Sequence, residues 1–261
     1  MCHETCPRPI SGGAPVEETE VTIDHVAGFE DQRLAVPAFL AVPERTPAPA
    51  VLILHDINGA NDFYRDLARR LAAEGFVALL PDLFHRLGPL TEQSREAARA
   101  RGMQLDQGQA LMDIRASLVW LGAHGATSGA VGTLGFCMGG TYVMLAAARA
   151  PLPAASVAFY GFPVRERTPI AAKLPIDEDE VANIGSPLLL LWGDQDGAVG
   201  MENVARYRAS LERYGKPAES VIYPGIGHGF LTFDPEAEAF GPSQDAWQRT
   251  LAVFRQHLGQ Q

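Results

Sequence analysis

The sequence predicts an α/β fold, in which helices cover both faces of a mostly parallel central sheet. Three observations support this prediction: short, almost wholly apolar segments recur along the chain, each closes in turn residues, and helical segments lie between them. Apolar segments of this kind are typical of strands buried on both faces. The repeated strand-then-helix order predicts parallel strands with helices on both sides. No repeat or linker divides the chain, so we expect one domain over 16–261.

The elements follow in a regular order after an unusual beginning. The first two segments, "VEETEVTID" and "RLAVPAFLAVP", carry β-favouring residues in partial alternation, which predicts an antiparallel edge of the sheet. Buried strands are then predicted at "APAVLILHD", "GFVALLPDL", "VGTLGFC", "AASVAFYG", "PLLLLWGDQD" and "ESVIYPG". Helices are predicted at 61–74, about 94–121, 139–150, 201–214 and 243–258.

Two parts of the chain lie outside this pattern. Residues 1–15 are predicted to be a flexible N-terminus rather than a metal site, because no second pair of suitable spacing follows Cys2, His3 and Cys6. The segment 163–186 is rich in proline and charge and separates two core strands. We interpret it as a surface excursion, with a mobile cap as the alternative.

Composition and charge exclude several classes of function. A content of 47% apolar and 20% charged residues is typical of a packed globular protein. A net charge of −10, without any cluster of lysine and arginine, argues against nucleic acid as a partner. No apolar segment is long enough to span a membrane, and the polar first 30 residues resemble no export signal. We therefore expect neither a membrane partner nor export, and a cytoplasmic location.

The cysteines and histidines suggest no resident cofactor. Three cysteines, two of them near the N-terminus, do not form the disulfide framework of a small secreted domain, which favours a reducing compartment. The histidines do not cluster at ligand spacings, and no phosphate-binding glycine pattern is present. We expect no metal and no cofactor, and the sequence leaves the oligomeric state open.

The segment "LGFCMGG" is the strongest sign of chemistry. It joins an apolar strand to a helical segment and places Cys137 between Gly135 and Gly139. This is the pattern of a nucleophile elbow, a strained strand-to-helix turn in which a Cβ at either flanking position would meet neighbouring backbone. The turn raises the side chain above the sheet and directs the first amides of the helix towards the reacting atom. The alternative is that Cys137 is a small buried core residue.

Later strands supply an acid and a base in the order that such elbows use. "LLLLWGDQDGAV" ends a strand in Asp194 and Asp196, and "VIYPGIGHGF" ends the next in His228. We expect His228 to take the thiol proton and Asp196 to orient the imidazole. Asp194 is expected to cap the loop, although the exchange of these two roles is the alternative.

The oxyanion hole requires a second backbone donor beside that of the elbow. The loop "LHDINGAND", residues 54–62, follows an early strand, which is where such donors lie. We expect the amides of Ile57 and Met138 to form this pair. Asp56 lies next to Ile57, and an acidic group close to a thiolate would raise the pKa of the thiol.

Taken together, these motifs resemble those of the dienelactone hydrolase family, also called carboxymethylenebutenolidases, of the α/β-hydrolase superfamily. The resemblance extends from about residue 17 to residue 258. It rests on "GFCMGG", "HDINGANDFYRDLARRLAAEGFVALLPDLFHR", "WGDQDGAV" and "GHGF" followed by "AWQRTLAVFRQHL". It implies a single-domain α/β-hydrolase fold whose triad of Cys137, Asp196 and His228 opens a cyclic enol-lactone through a thioester.

The resemblance also implies two further roles. In the family an acidic residue at the position of Asp56, usually glutamate, contacts the resting thiol, and a substrate carboxylate helps to release it. Two arginines hold that carboxylate. One of them matches Arg86, whereas Thr232 stands at the position of the other. Threonine lacks a charged, bidentate donor, so the sequence leaves the natural substrate of this chain open.

The leading hypothesis is therefore a thiol-dependent hydrolase of a small ester or lactone. The alternative is a redox or binding protein in which Cys137 is a peroxide-sensitive thiol on the same scaffold. No resolving cysteine accompanies Cys137 in the sequence pattern, which weighs against this alternative. A scaffold without catalysis would be expected to have a damaged triad, and this triad is intact.

Overall fold

The computed structural model describes residues 16–24, 26–29, 35–90, 92–149, 153–163 and 178–259. The predicted flexible N-terminus, with its two cysteines and its histidine, lies outside these ranges. Residues 164–177, the greater part of the predicted surface excursion, also lie outside. The interpretation of that segment as an excursion or a cap stays a prediction.

Within the described ranges, eight strands form one sheet with the order β1-β2-β4-β3-β5-β6-β7-β8. The strands are β1 Val16–Ile23, β2 Val36–Pro43, β3 Ala48–Leu54, β4 Val77–Pro81, β5 Thr127–Phe136, β6 Ala155–Phe159, β7 Leu188–Gly193 and β8 Ala218–Tyr223. β2 pairs antiparallel with both β1 and β4, and the remaining pairs are parallel. The predicted antiparallel edge and parallel centre are confirmed.

Helices connect the parallel strands and cover the sheet. They are α1 Asp62–Ala73, α2 Arg95–Gln104, α3 Gln107–Ala123, α4 Met138–Ala146, α5 Glu178–Val181, α6 Met201–Arg213 and α7 Phe240–Leu258. Two glycines of β5 show that both faces are covered. A Cβ on Gly132 would meet Phe254 of α7, and a Cβ on Gly135 would meet the first turn of α4. Because residues 132 and 135 point to opposite faces of a strand, α7 and α4 lie on opposite sides of the sheet.

The prediction of one long helix over 94–121 was wrong. The chain leaves the helix at Leu105, which has the extended values φ −61° and ψ 123°. Asp106 then begins α3 as its N-cap, where its side chain accepts a hydrogen bond of 2.9 Å from the N–H of Gln109. An aspartate side chain that binds the backbone in this way competes with continued helix and favours a new start.

The register of the parallel strands brings three loops to one edge of the sheet. Phe136 at the end of β5 pairs with Phe159 at the end of β6, and Gly193 at the end of β7 pairs with Tyr223 at the end of β8. Phe159 also pairs with Leu191 of β7, so the carboxyl ends of these strands lie within two residues of one another. Open α/β sheets carry their sites at this edge, and the predicted nucleophile, acid and base all follow these strands.

Candidate active site

The cysteine of the predicted elbow occupies a turn between β5 and α4. Cys137 has φ 55° and ψ −115°, so a non-glycine residue lies in the positive-φ region. Such a conformation costs about 1–3 kcal/mol and persists only where its surroundings hold it. Here the N–H of Cys137 donates to the carbonyl of Phe159 at 3.0 Å, and its own carbonyl accepts from the N–H of Thr141 at 3.1 Å.

The glycines that flank the cysteine are required by close backbone contacts, as the sequence predicts. A Cβ on Gly135 would lie 2.3 Å from the carbonyl oxygen of Gly139. A Cβ on Gly139 would lie 2.0 Å from the carbonyl oxygen of Leu54. The first turn of α4 therefore packs directly against the end of β3, and no side chain fits between them.

An acid–base pair lies at the same edge of the sheet. Nδ1 of His228 is 2.7 Å from Oδ2 of Asp196, whose side chain is fully buried. The other oxygen of this carboxylate, Oδ1, accepts from the N–H groups of Ala198 and Val199 at 3.0 Å each. The carboxylate is thus fixed by its own loop and can orient the imidazole.

The second aspartate has a different partner. Oδ1 of Asp194 accepts from the N–H of Gly225 at 2.7 Å and from the side chain of Gln195 at 3.0 Å. Asp194 therefore joins the loop after β7 to the turn after β8. This is the loop-capping position that the sequence suggested for one of the two aspartates.

Backbone contact sets the separation of the acid loop and the base loop. A Cβ on Gly193 would lie 2.0 Å from the carbonyl oxygen of Ile226. The N–H of Gln195 donates to that same carbonyl at 2.9 Å. The two loops that carry Asp196 and His228 are therefore in direct main-chain contact.

Aromatic rings that the sequence analysis missed surround the histidine. The ring of Tyr160 lies 4.9 Å from that of His228, edge to face, and the ring of Phe162 lies 5.5 Å from it. Tyr160 directly follows Phe159, whose carbonyl binds the N–H of Cys137. The end of β6 thus contacts both the elbow and the base. The signal for these residues was the aromatic cluster "FYGF" at the end of a buried strand.

The predicted oxyanion donors lie on two adjacent loops. Ile57 follows β3, Met138 is the first residue of α4, and both are buried. The first N–H groups of a helix have no partner within that helix. Among the described residues neither of these two amides donates a hydrogen bond, which suits the binding of a developing oxyanion.

The acidic residue of this loop is entirely buried. Asp56 is 0% exposed, and its Oδ1 accepts from the N–H of Asn58 at 2.8 Å. The N–H of Asp56 is 3.2 Å from the hydroxyl of Tyr64. Asp56 therefore stabilises the turn of the predicted oxyanion loop and places a carboxylate close to it.

Arg101 of α2 is a further charged residue at this loop that the sequence analysis missed. Its Nη2 donates to the carbonyls of Asn58 at 3.0 Å and Ile57 at 3.4 Å, and its guanidinium lies 4.3 Å from the ring centre of Phe84. Burial lowers the pKa of Arg101, while the charges of Asp82 and Asp56 act in the opposite direction. No local motif indicates this contact, since Arg101 and Asn58 are 43 positions apart.

Arg86, the predicted carboxylate-binding residue, holds a carboxylate of the protein itself. Both terminal nitrogens of its guanidinium donate to the buried side chain of Asp113 on α3, one of them at 2.9 Å. His85 contacts the same carboxylate at 3.3 Å. A substrate carboxylate would therefore have to share Arg86 with Asp113, and its role in binding stays a prediction.

Thr232, at the position of the family's second arginine, takes part in a turn. Its hydroxyl accepts from the N–H of Asp234 at 3.1 Å, and its own N–H donates to the hydroxyl of Ser243 at 3.1 Å. It supplies no positive charge to the site.

Two features of the described residues concern metal ions and membranes. In this part of the chain no three side chains of His, Cys, Asp or Glu come together in a way that could hold a metal ion. Within the same ranges, every helix is too short or too polar to cross a membrane.

Comparison with known proteins identifies the family to which this chain belongs. The model of the dienelactone hydrolase family matches residues 36–258. A carboxymethylenebutenolidase of Rhodococcus opacus is 34% identical over 228 residues, which cover 85% of this chain and 87% of the relative. A Bradyrhizobium protein, named as a probable 2-oxo-3-(5-oxofuran-2-ylidene)propanoate lactonase, is 36% identical over 229 residues, 85% of this chain and 89% of the relative.

A solved structure shows the same architecture. The crystal structure of a candidate dienelactone hydrolase from Klebsiella pneumoniae superposes with a TM-score of 0.81 at 29% identity, covering 93% of this chain and 99% of the other. The fold is therefore the α/β-hydrolase fold that the sequence predicted. The chain belongs to the dienelactone hydrolase family and is, like its members, a hydrolase of carboxylic esters or lactones.

Proposed function

We propose that this chain hydrolyses small lactones or esters through a thioester on Cys137. The observation that carries the proposal is the 2.7 Å pair of His228 and Asp196 at the same sheet edge as the strained cysteine turn. His228 takes the thiol proton through Nε2, because its Nδ1 is engaged by the carboxylate of Asp196.

The first half of the reaction forms the thioester. The thiolate of Cys137 attacks the acyl carbon, and the carbonyl electrons move to oxygen, where the amides of Ile57 and Met138 stabilise the charge. When the tetrahedral intermediate collapses, the C–O bond of the ester or lactone breaks. The leaving oxygen takes the proton that His228 carries.

The second half releases the acid. His228 accepts a proton from water as that water attacks the thioester, and the amides of Ile57 and Met138 again bind the oxyanion. The C–S bond then breaks, a carboxylic acid leaves, and the thiol of Cys137 regains a proton from His228. One water is consumed, and no cofactor is required.

The substrate is proposed to carry a carboxylate next to the reacting ring. The names of the Rhodococcus and Bradyrhizobium relatives describe lactones that bear a carboxyl group. In this chain Arg86 is the proposed contact for that group, and it would bind the substrate carboxylate while it is also paired with Asp113. Asp56 is proposed to disfavour the thiolate at rest, since like charges near one another are unfavourable, until substrate binds.

The experiment is turnover of a dienelactone and of a neutral short-chain aryl ester by the wild type, Cys137→Ser and Cys137→Ala. We expect Cys137→Ala to lose at least about 1000-fold in kcat/KM on any substrate that the wild type accepts. A thioester on Cys137, seen by mass spectrometry after rapid quenching, would identify the intermediate. Full activity of Cys137→Ala would overturn the proposed nucleophile.

The redox alternative is less well supported by the site. Cys137 is only 3% exposed, and peroxide-sensing thiols are accessible ones. Failure of the wild type on every ester, together with rapid oxidation of Cys137 by peroxide, would favour that alternative.

A further inference from the structure

A buried histidine that takes no part in the proposed proton transfers lies directly before the oxyanion loop, residues 56–59. His55 is the first residue after β3 and is 0% exposed. Its Nδ1 is 2.7 Å from the carbonyl oxygen of Asp56, and its Nε2 is 3.1 Å from the backbone nitrogen of Leu83. One imidazole thus joins the loop after β3 to the loop after β4.

These two contacts define the tautomer of His55. A backbone N–H can only donate, so Nε2 must accept from Leu83 and carries no proton. Nδ1 then carries the ring proton and donates it to the carbonyl of Asp56. Burial lowers the pKa of His55, although Asp82, 3.9 Å from Nε2, acts in the opposite direction. The neutral imidazole is therefore the form that fits this site.

The bond to Asp56 has a consequence for the neighbouring amide. The carbonyl of Asp56 and the N–H of Ile57 belong to the same planar trans peptide unit and point in opposite directions. A hydrogen bond that holds the carbonyl therefore fixes the direction of the N–H. The N–H of Gly59 binds the same carbonyl at 3.2 Å, which closes the turn but is itself part of the loop.

Other contacts of the loop act on different peptide units. Arg101 binds the carbonyls of Ile57 and Asn58, which belong to the next two units. The rings of Phe84 and Tyr64, with centres 5.2 and 6.3 Å from that of His55, confine the imidazole in place. His55 is thus the side chain that controls the peptide carrying the predicted oxyanion donor.

We propose that His55 is a positioning residue of the oxyanion hole, which directs the N–H of Ile57 towards the reacting carbonyl oxygen. The inference rests on the proposed function, because it assigns a task to a residue behind that site. It predicts that loss of the donor at Nδ1 lowers the rate of acylation, whereas loss of the acceptor at Nε2 alone has a much smaller effect on that rate.

Two substitutions separate the two ends of the ring. In His55→Asn a side-chain N–H can still reach the carbonyl of Asp56, but the contact with Leu83 is lost. In His55→Gln an oxygen can still accept from Leu83, but the donor to Asp56 is lost. Removal of one oxyanion donor costs about 100- to 1000-fold in kcat, so a misdirected donor is expected to cost about 10- to 100-fold.

The experiment measures kcat and KM on an aryl ester and the rate at which iodoacetamide alkylates Cys137. Alkylation uses the thiolate but forms no oxyanion. We expect His55→Gln to lose about 10- to 100-fold in kcat, with KM and the alkylation rate within about threefold of the wild type. His55→Asn should keep kcat within about threefold. The control is His124→Asn, because His124 also accepts from a backbone N–H, that of Ala126, but at the opposite edge of the sheet.

Equal losses of kcat in both folded variants, or an unchanged kcat in His55→Gln, would overturn the positioning role. If circular dichroism shows that His55→Gln does not fold, His55→Asn decides, and a loss of 10-fold or more in that folded variant overturns the role. Activity that survives in Cys137→Ala would instead overturn the proposed function. Inactive Cys137→Ala with fully active His55→Gln would leave the nucleophile in place and refute this inference alone.

Discussion

At the scale of single residues, two aspartates two positions apart have different tasks. Asp196 is buried, binds His228 with one oxygen and holds its own loop with the other. Asp194 binds the N–H of Gly225 and lies nearer to solvent. The same side chain therefore binds an imidazole in one position and closes a turn in the other.

We predict that Asp196→Asn lowers kcat by about 1000- to 10,000-fold, because the amide stabilises neither the required tautomer nor the imidazolium. Asp194→Asn should change kcat less than about threefold and lower the free energy of unfolding by roughly 1 kcal/mol, since it removes the charge that strengthens the hydrogen bonds from Gly225 and Gln195. Steady-state kinetics and urea unfolding of both variants check this prediction. A larger kinetic loss in Asp194→Asn than in Asp196→Asn would contradict the assignment.

The sequence could predict those residues whose identity is required by local geometry. Cys137 and its glycines form a contiguous pattern, and the acid and base follow identifiable strands. Contacts between distant parts of the chain have no such pattern. The pair of Arg86 and Asp113, 27 positions apart, depends on how α3 packs beside the loop after β4, and it became apparent only from the structure.

At the scale of elements, the start of α4 is tightly constrained by backbone contacts. Gly139 lies against the carbonyl oxygen of Leu54, so α4 and β3 are as close as contact between their backbones allows. The helix cannot move away without carrying the amide of Met138 with it. The contact that packs α4 against β3 therefore also fixes the position of the proposed oxyanion donor at Met138.

We predict that Gly139→Ala destabilises the fold by about 3 kcal/mol or more, because its Cβ would meet backbone atoms that cannot yield. Activity should fall at least 100-fold, as the Met138 amide is displaced. The control is Gly122→Ala inside α3, where a Cβ meets only ordinary contacts of 3.6 Å. That variant should be roughly 0.5–1 kcal/mol more stable, from helix propensity. Urea unfolding and kcat/KM test both, and similar stabilities would refute the argument.

The sequence predicted the order of elements well and their junctions less well. The break between α2 and α3 was missed although Gly102, Asp106 and Gly108 stand around it, because the residues on either side favour helix. The capping bond of Asp106 separates the two helices, and aspartate within a helical segment is a weak signal by itself. The pattern of apolar and helix-favouring residues predicts that a helix exists, whereas its boundaries depend on individual hydrogen bonds such as the one that Asp106 accepts.

At the scale of the whole molecule, an ion pair between Arg86, whose side chain is 30% exposed, and the fully buried Asp113 joins the loop after β4 to α3. Burial tends to raise the pKa of Asp113, but hydrogen bonds from Arg86 and His85 outweigh it and hold that pKa below its ordinary value of 3.8. A carboxyl whose folded pKa is depressed adds stability that is fully present above its unfolded pKa. That stability is lost as the pH falls through the folded pKa.

We therefore predict that Asp113→Asn lowers the free energy of unfolding at pH 7, and that its difference from the wild type shrinks as the pH falls below 3.8. Arg86→Ala should reduce the same pH-dependent difference, because it removes the main hydrogen-bond donor to Asp113. Urea unfolding at pH 7, 4 and 3 provides the comparison. A difference that is constant over this range would show that the ion pair does not control acid stability.

The main-chain contact between Gly193 and Ile226 has a consequence for substrate range. Since backbone atoms fix the distance between the loops that carry Asp196 and His228, that distance does not depend on the size of neighbouring side chains such as Phe162. The chemistry and the choice of acyl group can then be altered independently of each other. An engineer could replace the rings beside His228 to admit bulkier esters and still keep a working proton relay.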